Sequence, residues 1–245
     1  MLTITEAEIR EHGLGRNLLA LYWRRWRTER ALAKRGIRFR ATDIDQVVAA
    51  YAAMTPAEFA AINALQEWAN WRAIPRALNE HVPDRPLRVL DLGCGAGGST
   101  QVLAHYCPPG SYITGFEIAE PMIAIARRRE YRHKGGATAH VDFHCQCITD
   151  PFSAIPSHTI DLANASGIVG HHLNDSTILP VIGELRRVLA GDGVAILDVG
   201  PTMRARALHH HMTDARFTYL GRYRSWFADP RGLMVFRNSS NETQT

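Results

Sequence analysis

The chain has 245 residues, of which 46% are hydrophobic and 21% charged, and its formal net charge is +4. This length allows one large α/β domain with an additional helical element, and the composition is ordinary for a globular protein. No run of eighteen apolar residues is present, so no transmembrane helix is expected. The N-terminus lacks a basic region followed by an apolar core, so no signal peptide is expected.

The positive charge is concentrated near the N-terminus. The segment Arg16–Arg40 holds nine basic residues against Glu29 alone, a net charge of +8 that leaves −4 for the rest of the chain. Leu18, Tyr22 and Trp26 recur at helical spacing, which predicts an apolar stripe packed on the main domain. The alternative is a basic arm that contacts a phosphorylated or nucleic-acid substrate through arginine and aromatic side chains.

Two further helices are predicted before residue 80. An amphipathic pattern begins near Thr42, and Thr55-Pro56-Ala57-Glu58 is a capping box with proline at the first helical position. The second helix is expected to bend or stop near Pro75. No linker follows, so we predict that residues 1–80 form a helical lid on a domain of residues 81–238, with a frayed tail at 239–245.

The stretch at residues 88–100 predicts a ligand site. Residues 88–92 are a short apolar run with one acid, Asp91, and six residues rich in glycine follow. This pattern indicates a buried parallel strand, a tight turn and a helix whose free N–H groups, beginning near Ser99, face the ligand. Gly93, Gly95 and Gly98 also satisfy the dinucleotide pattern. However, a carboxylate at Asp91 suits an ammonium group and would repel a pyrophosphate.

Strands and helices alternate after this turn, as a doubly wound sheet requires. Helices are expected after the second strand, from Pro121, and between the fourth and fifth strands, ending at Gly191. The predicted strands are 112–117, 141–145, 160–165, 194–199, 217–224 and 233–237, with a turn at 229–232 between the last two.

The residues Val-Leu-Asp-Leu-Gly-Cys-Gly-Ala-Gly, at 89–97, resemble the first motif of the class I S-adenosylmethionine-dependent methyltransferases. The segment at 189–198 is similar to the one that leads into the fifth strand of that family. The resemblance covers roughly residues 80–237. It implies an α/β fold with a doubly wound, seven-stranded Rossmann-like sheet, and S-adenosylmethionine as cofactor.

The resemblance also implies site residues. Glu117, at the tip of the second strand, would accept hydrogen bonds from the ribose hydroxyls, and Ile118 and Met122 would flank the adenine. The family usually has Gly-Asp-Ala in its third motif, where this chain has Gln146-Cys147-Ile148. Ile148 is still expected to stack on the ring, whereas the adenine amino group would need Asp150 or a backbone carbonyl.

The predicted cofactor contacts come from five parts of the chain. Arg72, beside Trp71 on the last helix before the first strand, is expected to approach the carboxylate of the cofactor. The fourth strand ends Asn164-Ala165-Ser166-Gly167 and lacks the N/D-P-P-Y/F tetrapeptide, which disfavours DNA adenine or protein glutamine methylation. The complete set of predicted contacts is Arg72, Asp91, Gly93, Cys94, Gly95, Gly97, Glu117, Ile118, Met122, Cys147, Ile148, Asn164 and Ser166.

Histidines supply the candidate catalytic groups. His171 and His172 follow the fourth strand, where the family often carries a histidine facing the methyl group, and an imidazole takes up a proton near neutral pH. The alternative is an ordinary loop histidine. His209, His210 and His211 are expected to lie on an exposed helix and not to bind metal, because consecutive helical residues point in different directions.

The four cysteines, Cys94, Cys107, Cys145 and Cys147, lack zinc-site spacing, which favours reduced thiols, no metal site and a cytoplasmic location. The sequence therefore predicts methyl transfer to a small or medium organic acceptor, with no membrane partner and the oligomeric state open. An RNA or tRNA methyltransferase that uses the basic segment is the main alternative. A nicotinamide-dependent enzyme and a catalytically silent binding module are less favoured.

Overall fold

The computed structural model describes residues 18–38, 43–225 and 227–239. The predicted tail at 239–245 therefore lies almost entirely outside the described residues, as do Arg16, Arg40 and Thr42 of the predicted N-terminal helices. The helices are α1 (Leu18–Lys34), α2 (Ile44–Ala52), α3 (Pro56–His81), α4 (Gly98–Tyr106), α5 (Glu120–Ala126), α6 (Ile178–Val188) and α7 (Ala205–Asp214). The strands are β1 (Arg88–Leu92), β2 (Tyr112–Glu117), β3 (His140–Cys145), β4 (Ile160–Ala165), β5 (Leu189–Asp198), β6 (Phe217–Ser225) and β7 (Asp229–Asn238).

The strands form a seven-stranded sheet in the order β3-β2-β1-β4-β5-β7-β6. Neighbours among β1–β5 are parallel, and β7 is antiparallel to both β5 and β6. The sheet order reverses beside β1, so the carboxyl ends of β1 and β4 flank the crevice in which such sheets bind ligands. The predicted doubly wound sheet is confirmed.

Apolar cores lie on both faces of the sheet because neighbouring strand residues point to opposite sides. Val89 of β1 packs with Ile74 of α3 in one cluster, whereas Leu90 packs with Leu185 of α6 in the other. The N-terminal helices therefore share a core with the sheet. Whether they act as a lid stays a prediction.

The helix α3 begins as predicted and continues further than predicted. Thr55 accepts a hydrogen bond from the Glu58 N–H, and the Glu58 side chain accepts one from the Thr55 N–H, which completes the capping box. The expected bend or stop near Pro75 is not a stop, since the helix runs on to His81. Beyond the proline, Ala77 and Leu78 are buried in the core that α3 shares with the sheet, and their burial offsets part of the cost of the lost backbone hydrogen bond.

Two strand predictions need correction. β5 begins at Leu189, five residues before the predicted Val194. Its first residue pairs with Ile160 of β4, and a register shift follows before Val194 pairs with Leu162. The predicted turn at 229–232 lies inside β7, where the Asp229 side chain accepts a hydrogen bond from the Gly232 N–H. The chain reverses just before β7, where the N–H of residue 228 bonds to the carbonyl of residue 225.

The apolar stripe predicted for α1 is wrong for two of its three residues. Tyr22 and Trp26 are 44% and 51% exposed, whereas Leu18 packs on the core as predicted, together with Leu21 and the buried Leu32. None of the helices in the described ranges is long and apolar enough to cross a membrane.

Candidate functional site

A cleft opens at the carboxyl ends of the parallel strands, between the sheet and the helices α2 and α3. Its empty volume, including the opening to solvent, is about 970 Å³. The sheet side is lined by Gly93, Cys94, Gly95, Ala96, Gly98, Ser99, Glu117, Ile118, Cys147, Ile148, Thr149, Ser166, Gly167, Ile168, His172 and Leu173. The helical side is lined by Val47, Tyr51, Phe59, Asn63, Gln66, Glu67 and Asn70.

Glu117 is a buried acid in this cleft. Its Oε2 accepts a hydrogen bond from the Gly95 N–H at 3.0 Å, and its Oε1 accepts one from the Ala119 N–H at 2.9 Å. Burial raises the pKa of Glu117, and these N–H donors oppose the shift. A carboxylate oxygen has more than one lone pair, so each can still accept a hydrogen bond from a hydroxyl in the cleft.

Asp91 lies behind the cleft. Its Oδ2 accepts hydrogen bonds from the hydroxyls of Ser99 at 2.8 Å and Thr100 at 2.6 Å, and its Oδ1 accepts one from Asn164 Nδ2 at 2.8 Å. The side chain is fully buried, and burial raises its pKa against these three bonds. Asp91 thus ties the end of β1 to the first turn of α4 and to β4.

A tyrosine–histidine pair connects the two sides of the cleft. Tyr51 Oη on α2 lies 2.7 Å from His172 Nε2 on the loop after β4, and their rings meet edge to face. Burial raises the pKa of the Tyr51 phenol, and the nearby Glu117 charge raises it further. The phenol is therefore neutral at physiological pH and can donate its proton to Nε2.

The loop after β4 is held by Asp198, a buried acid at the end of β5. Its Oδ1 accepts hydrogen bonds from the N–H groups of Ile168 and Val169, at 3.3 and 3.0 Å. Its Oδ2 lies 3.2 Å from His171 Nε2. These contacts direct His171 toward Asp198 and leave its neighbour His172 in the cleft.

Glu67 on α3 is the second acid, after Glu117, that lines the cleft, and it faces the first turn of α4. Its Oε1 lies 2.7 Å from the point that a Cβ on Gly98 would occupy. Burial raises the pKa of Glu67, and the charge of Arg129 opposes this shift. α4 has no side-chain cap at its N-terminus, so its first N–H groups are free to bind a ligand. They lie beside the Glu67 carboxyl.

Known proteins are similar to the part of the chain that carries this site. Residues 89–193, which carry the glycine turn, Glu117, the loop after β4 and α6, match the family model described as a methyltransferase domain. Curated relatives that match the chain are methyltransferases, and solved structures with the same fold include S-adenosylmethionine-dependent methyltransferases.

Two curated relatives show how far the sequence similarity extends. A malonyl-[acyl-carrier protein] O-methyltransferase from Bacillus cytotoxicus is 31% identical over 130 residues, which are 53% of this chain and 41% of that protein. A demethylmenaquinone methyltransferase from Thermus thermophilus is 31% identical over 132 residues, 54% of each chain. The match therefore spans about half the length of these relatives.

A solved structure shares the fold. The magnesium protoporphyrin IX methyltransferase of Synechocystis PCC 6803, solved with bound S-adenosylmethionine, aligns with a TM-score of 0.55. The alignment covers 76% of this chain and 86% of that one, at 16% sequence identity. At this identity the likeness shows the architecture alone.

Most of the cofactor contacts predicted for this chain line the cleft. They are Gly93, Cys94, Gly95, Glu117, Ile118, Cys147, Ile148 and Ser166. Asp150, considered for the adenine amino group, is not among the lining residues, whereas Thr149 is. Their contacts with a bound cofactor remain predictions.

Five predicted contacts lie elsewhere. Asp91 and Asn164 are fully buried and hydrogen-bonded to each other. Asp91 therefore does not line the cleft in which it was expected to contact an ammonium group. Met122 is 1% exposed and packs in a core behind the glycine turn. At Gly97, with φ +83°, a Cβ would lie 2.1 Å from the hydroxyl of Tyr131, so this glycine is required by packing.

Arg72 is the fifth. Its guanidinium lies 3.3 Å from the centre of the Trp68 ring and donates a hydrogen bond to the Trp68 carbonyl at 3.1 Å. Trp71, expected to accompany it toward the cofactor, is buried against His105 and Tyr106. The pair lies on α3 as predicted but does not line the cleft.

The histidine predictions divide in the same way. His172 lines the cleft and His171 does not. His209 and His210 lie exposed on α7 while His211 is partly buried, and no cluster of metal-binding side chains occurs among the described residues.

Sequence analysis missed the helical side of the cleft. Tyr51, Phe59 and Glu67 lie on the predicted helices, but none of the three was singled out as a site residue. Three amides, Asn63, Gln66 and Asn70, share one face of α3, and their spacing is the signal that could have found them.

Proposed function

We propose that this protein transfers a methyl group from S-adenosylmethionine to a small or medium-sized organic acceptor. One observation carries the proposal. A single cleft combines an acid suited to ribose, Glu117, with the Tyr51–His172 pair suited to taking a proton from an acceptor. The names of the relatives, which include a demethylmenaquinone methyltransferase, support an acceptor of this size.

The residues present fit the cofactor. The free lone pairs of Glu117 would accept hydrogen bonds from the ribose hydroxyls, and the side chains of Ile118 and Ile148 would flank the adenine. The first N–H groups of α4 suit the methionyl carboxylate. The ammonium group needs an acid that reaches the cleft, and Glu67 takes the role first expected of Asp91.

When bound, S-adenosylmethionine supplies a methyl group that is already activated for attack. The protein then has to align the acceptor, exclude water and remove a proton where the acceptor carries one. An acceptor hydroxyl or amine would pass its proton to Tyr51 Oη as the Tyr51 proton moves to His172 Nε2. The 2.7 Å separation already places these two atoms at proton-transfer distance.

Calorimetry with S-adenosylhomocysteine and with NAD tests the cofactor half of the proposal. We expect binding of the first and none of the second. Glu117→Ala should weaken binding by about 1–3 kcal/mol because charge-assisted hydrogen bonds are lost. Glu130→Ala removes an exposed acid outside the cleft and is the matched control. Tight NAD binding without S-adenosylhomocysteine binding would overturn the proposal.

Turnover assays test the proposed methyl transfer to an organic acceptor. Methyl transfer from labelled S-adenosylmethionine to a panel of phenols, carboxylic acids and amines should identify an acceptor. A protein that binds the cofactor and methylates no organic acceptor, while methylating RNA, would support the alternative substrate class.

A further inference from the structure

The helix α1 presents a second apolar face to solvent. Leu19 is 81% exposed, Trp23 58% and Trp26 51%, and helical geometry places these three positions on one side. The opposite side carries Leu21 and Leu32, which pack on the rest of the protein. Packing within the fold therefore explains one apolar face of α1 and leaves the other without a partner among residues 18–38, 43–225 and 227–239.

A neighbouring turn enlarges this face. The Tyr22 hydroxyl donates a hydrogen bond to the carbonyl of Phe227, whose side chain is 74% exposed. The resulting patch, here called the α1 patch, consists of Leu19, Tyr22, Trp23, Trp26 and Phe227. It holds five of the eight large hydrophobic side chains that are exposed among the described residues, so its apolar area is concentrated and not scattered.

Positive charge surrounds the α1 patch. The guanidinium carbon of Arg27 lies 4.6 Å from the centre of the Trp23 ring, and that of Arg30 lies 4.8 Å from the centre of the Trp26 ring. Arg24 and Lys34 are exposed on the same helix, whose single acid, Glu29, is paired with Arg25 at 2.8 Å. The surface offered to a partner is thus both apolar and cationic.

We propose that the α1 patch binds the surface of an anionic lipid bilayer. Indole rings prefer the boundary between lipid headgroups and hydrocarbon, an exposed leucine can insert below it, and flanking arginines pair with anionic headgroups. The proposal replaces the expectation of no membrane partner, which depended on the lack of a spanning segment. It is independent of the proposed methyl transfer.

The same contacts disfavour a nucleic acid as the occupant. Stacking on bases needs open ring faces, and Arg27 and Arg30 leave only one of the two faces of each indole for it. The most exposed member, Leu19, has no ring with which to stack.

Vesicle co-sedimentation tests the proposal. We expect the full chain to bind vesicles of phosphatidylcholine with phosphatidylglycerol, and to bind phosphatidylcholine alone much less. Arg27→Ala/Arg30→Ala should lower the partition coefficient on the anionic vesicles roughly 10- to 30-fold. Arg128→Ala/Arg206→Ala removes two exposed arginines from other helix ends and should bind like the unmodified protein.

Tryptophan fluorescence gives a second measurement. Trp68 and Trp71 are buried, and the fifth tryptophan, Trp226, lies outside the described residues and is replaced by Phe in the protein used. A blue shift on vesicle binding that disappears when Trp23→Phe/Trp26→Phe is added then identifies the inserted rings. Cofactor affinity, unchanged in every variant, shows that the variants are folded. The proposal is overturned if the unmodified protein ignores anionic vesicles, or if the arginine variant binds them as well as the control. It is likewise overturned if these substitutions abolish RNA binding or self-association in place of vesicle binding.

Discussion

At the scale of single residues, two adjacent histidines have different surroundings. His171 approaches the buried Asp198, whereas His172 lines the cleft and contacts Tyr51. Asp198 also accepts hydrogen bonds from N–H groups earlier in the loop, so one acid at the end of β5 contacts both the loop backbone and the imidazole that does not line the cleft. From the sequence alone, the two histidines were equal candidates for the catalytic group.

This difference predicts unequal effects of mutation. If His172 receives the acceptor's proton, His172→Ala should lower turnover by roughly 10²–10⁴-fold while cofactor affinity is unchanged. Tyr51→Phe should also lower turnover, because the phenol that relays the proton is gone. His171→Ala is the matched control and should keep most of its turnover. Equal losses in the two histidine variants would contradict the assignment and indicate that the loop as a whole was disturbed.

Glu67 predicts a pH dependence of cofactor affinity. Burial raises its pKa, so the carboxyl is neutral below that pKa and cannot pair with an ammonium group. Affinity for S-adenosylhomocysteine should therefore fall as the pH drops through the raised pKa, and should be fully present above it. Glu67→Gln should bind about tenfold or more weakly at high pH and lose the part of the pH dependence due to Glu67.

The deamino analogue of S-adenosylhomocysteine is the control for Glu67. Because it lacks the ammonium group, the unmodified protein and Glu67→Gln should bind it equally. A glutamine side chain can still donate a hydrogen bond to a carboxylate. Unchanged affinity of Glu67→Gln for S-adenosylhomocysteine would therefore assign Glu67 to the methionyl carboxylate, and the ammonium assignment would be wrong.

At the scale of elements, the loop after β4 is packed directly on the segment after β5. A Cβ on Gly200 would lie 2.2 Å from the backbone carbon of Gly170, so only glycine fits at this contact. Gly200→Ala should destabilise the protein by about 1–3 kcal/mol and should also lower turnover, since the loop carries His172. Denaturant unfolding and turnover assays measure the two effects.

Gly183 supplies the opposite case for comparison. It lies in the helix α6, is exposed, and would meet nothing within 4 Å if a Cβ were added. Gly183→Ala should therefore stabilise the protein by about 0.5–1 kcal/mol without changing turnover. Similar destabilisation by both substitutions would show that the contact between Gly170 and Gly200 is not the cause.

At the scale of the whole molecule, the cleft is built from parts that are distant in the chain. Its helical side comes from α2 and α3 and its sheet side from four strand ends, so a ligand binds only the folded state. At a free ligand concentration of about 100 Kd, S-adenosylhomocysteine should stabilise the protein by about 2.7 kcal/mol. For a chain of this size the Tm should rise by about 5–10 °C.

Thermal unfolding with and without ligand measures this shift. Glu117→Ala at the same ligand concentration should show a smaller rise, and NAD should cause none. Should calorimetry detect binding while the Tm stays constant, the cleft would have to retain affinity in the unfolded state, and our account of its construction would be wrong.

The sequence by itself determined the local features of this protein. The bounds of β2 and β4, the glycine turn after β1 and the capping box of α3 agree with prediction, because each depends on residues that are close in the chain. The order of strands and helices then limits the sheet to one of a few topologies. The family resemblance selected the one that the structure has.

Only the tertiary structure decided which side chains share the cleft. Tyr51 and His172 are 121 positions apart, and their contact depends on how the N-terminal helices dock on the sheet. For the same reason Asp91, which was expected in the cleft, is buried behind it, whereas Glu67, which the sequence did not single out, lines it. Periodicity tells which face of an element is buried, whereas the rotation and depth of docking decide whether a buried acid faces a ligand or another strand.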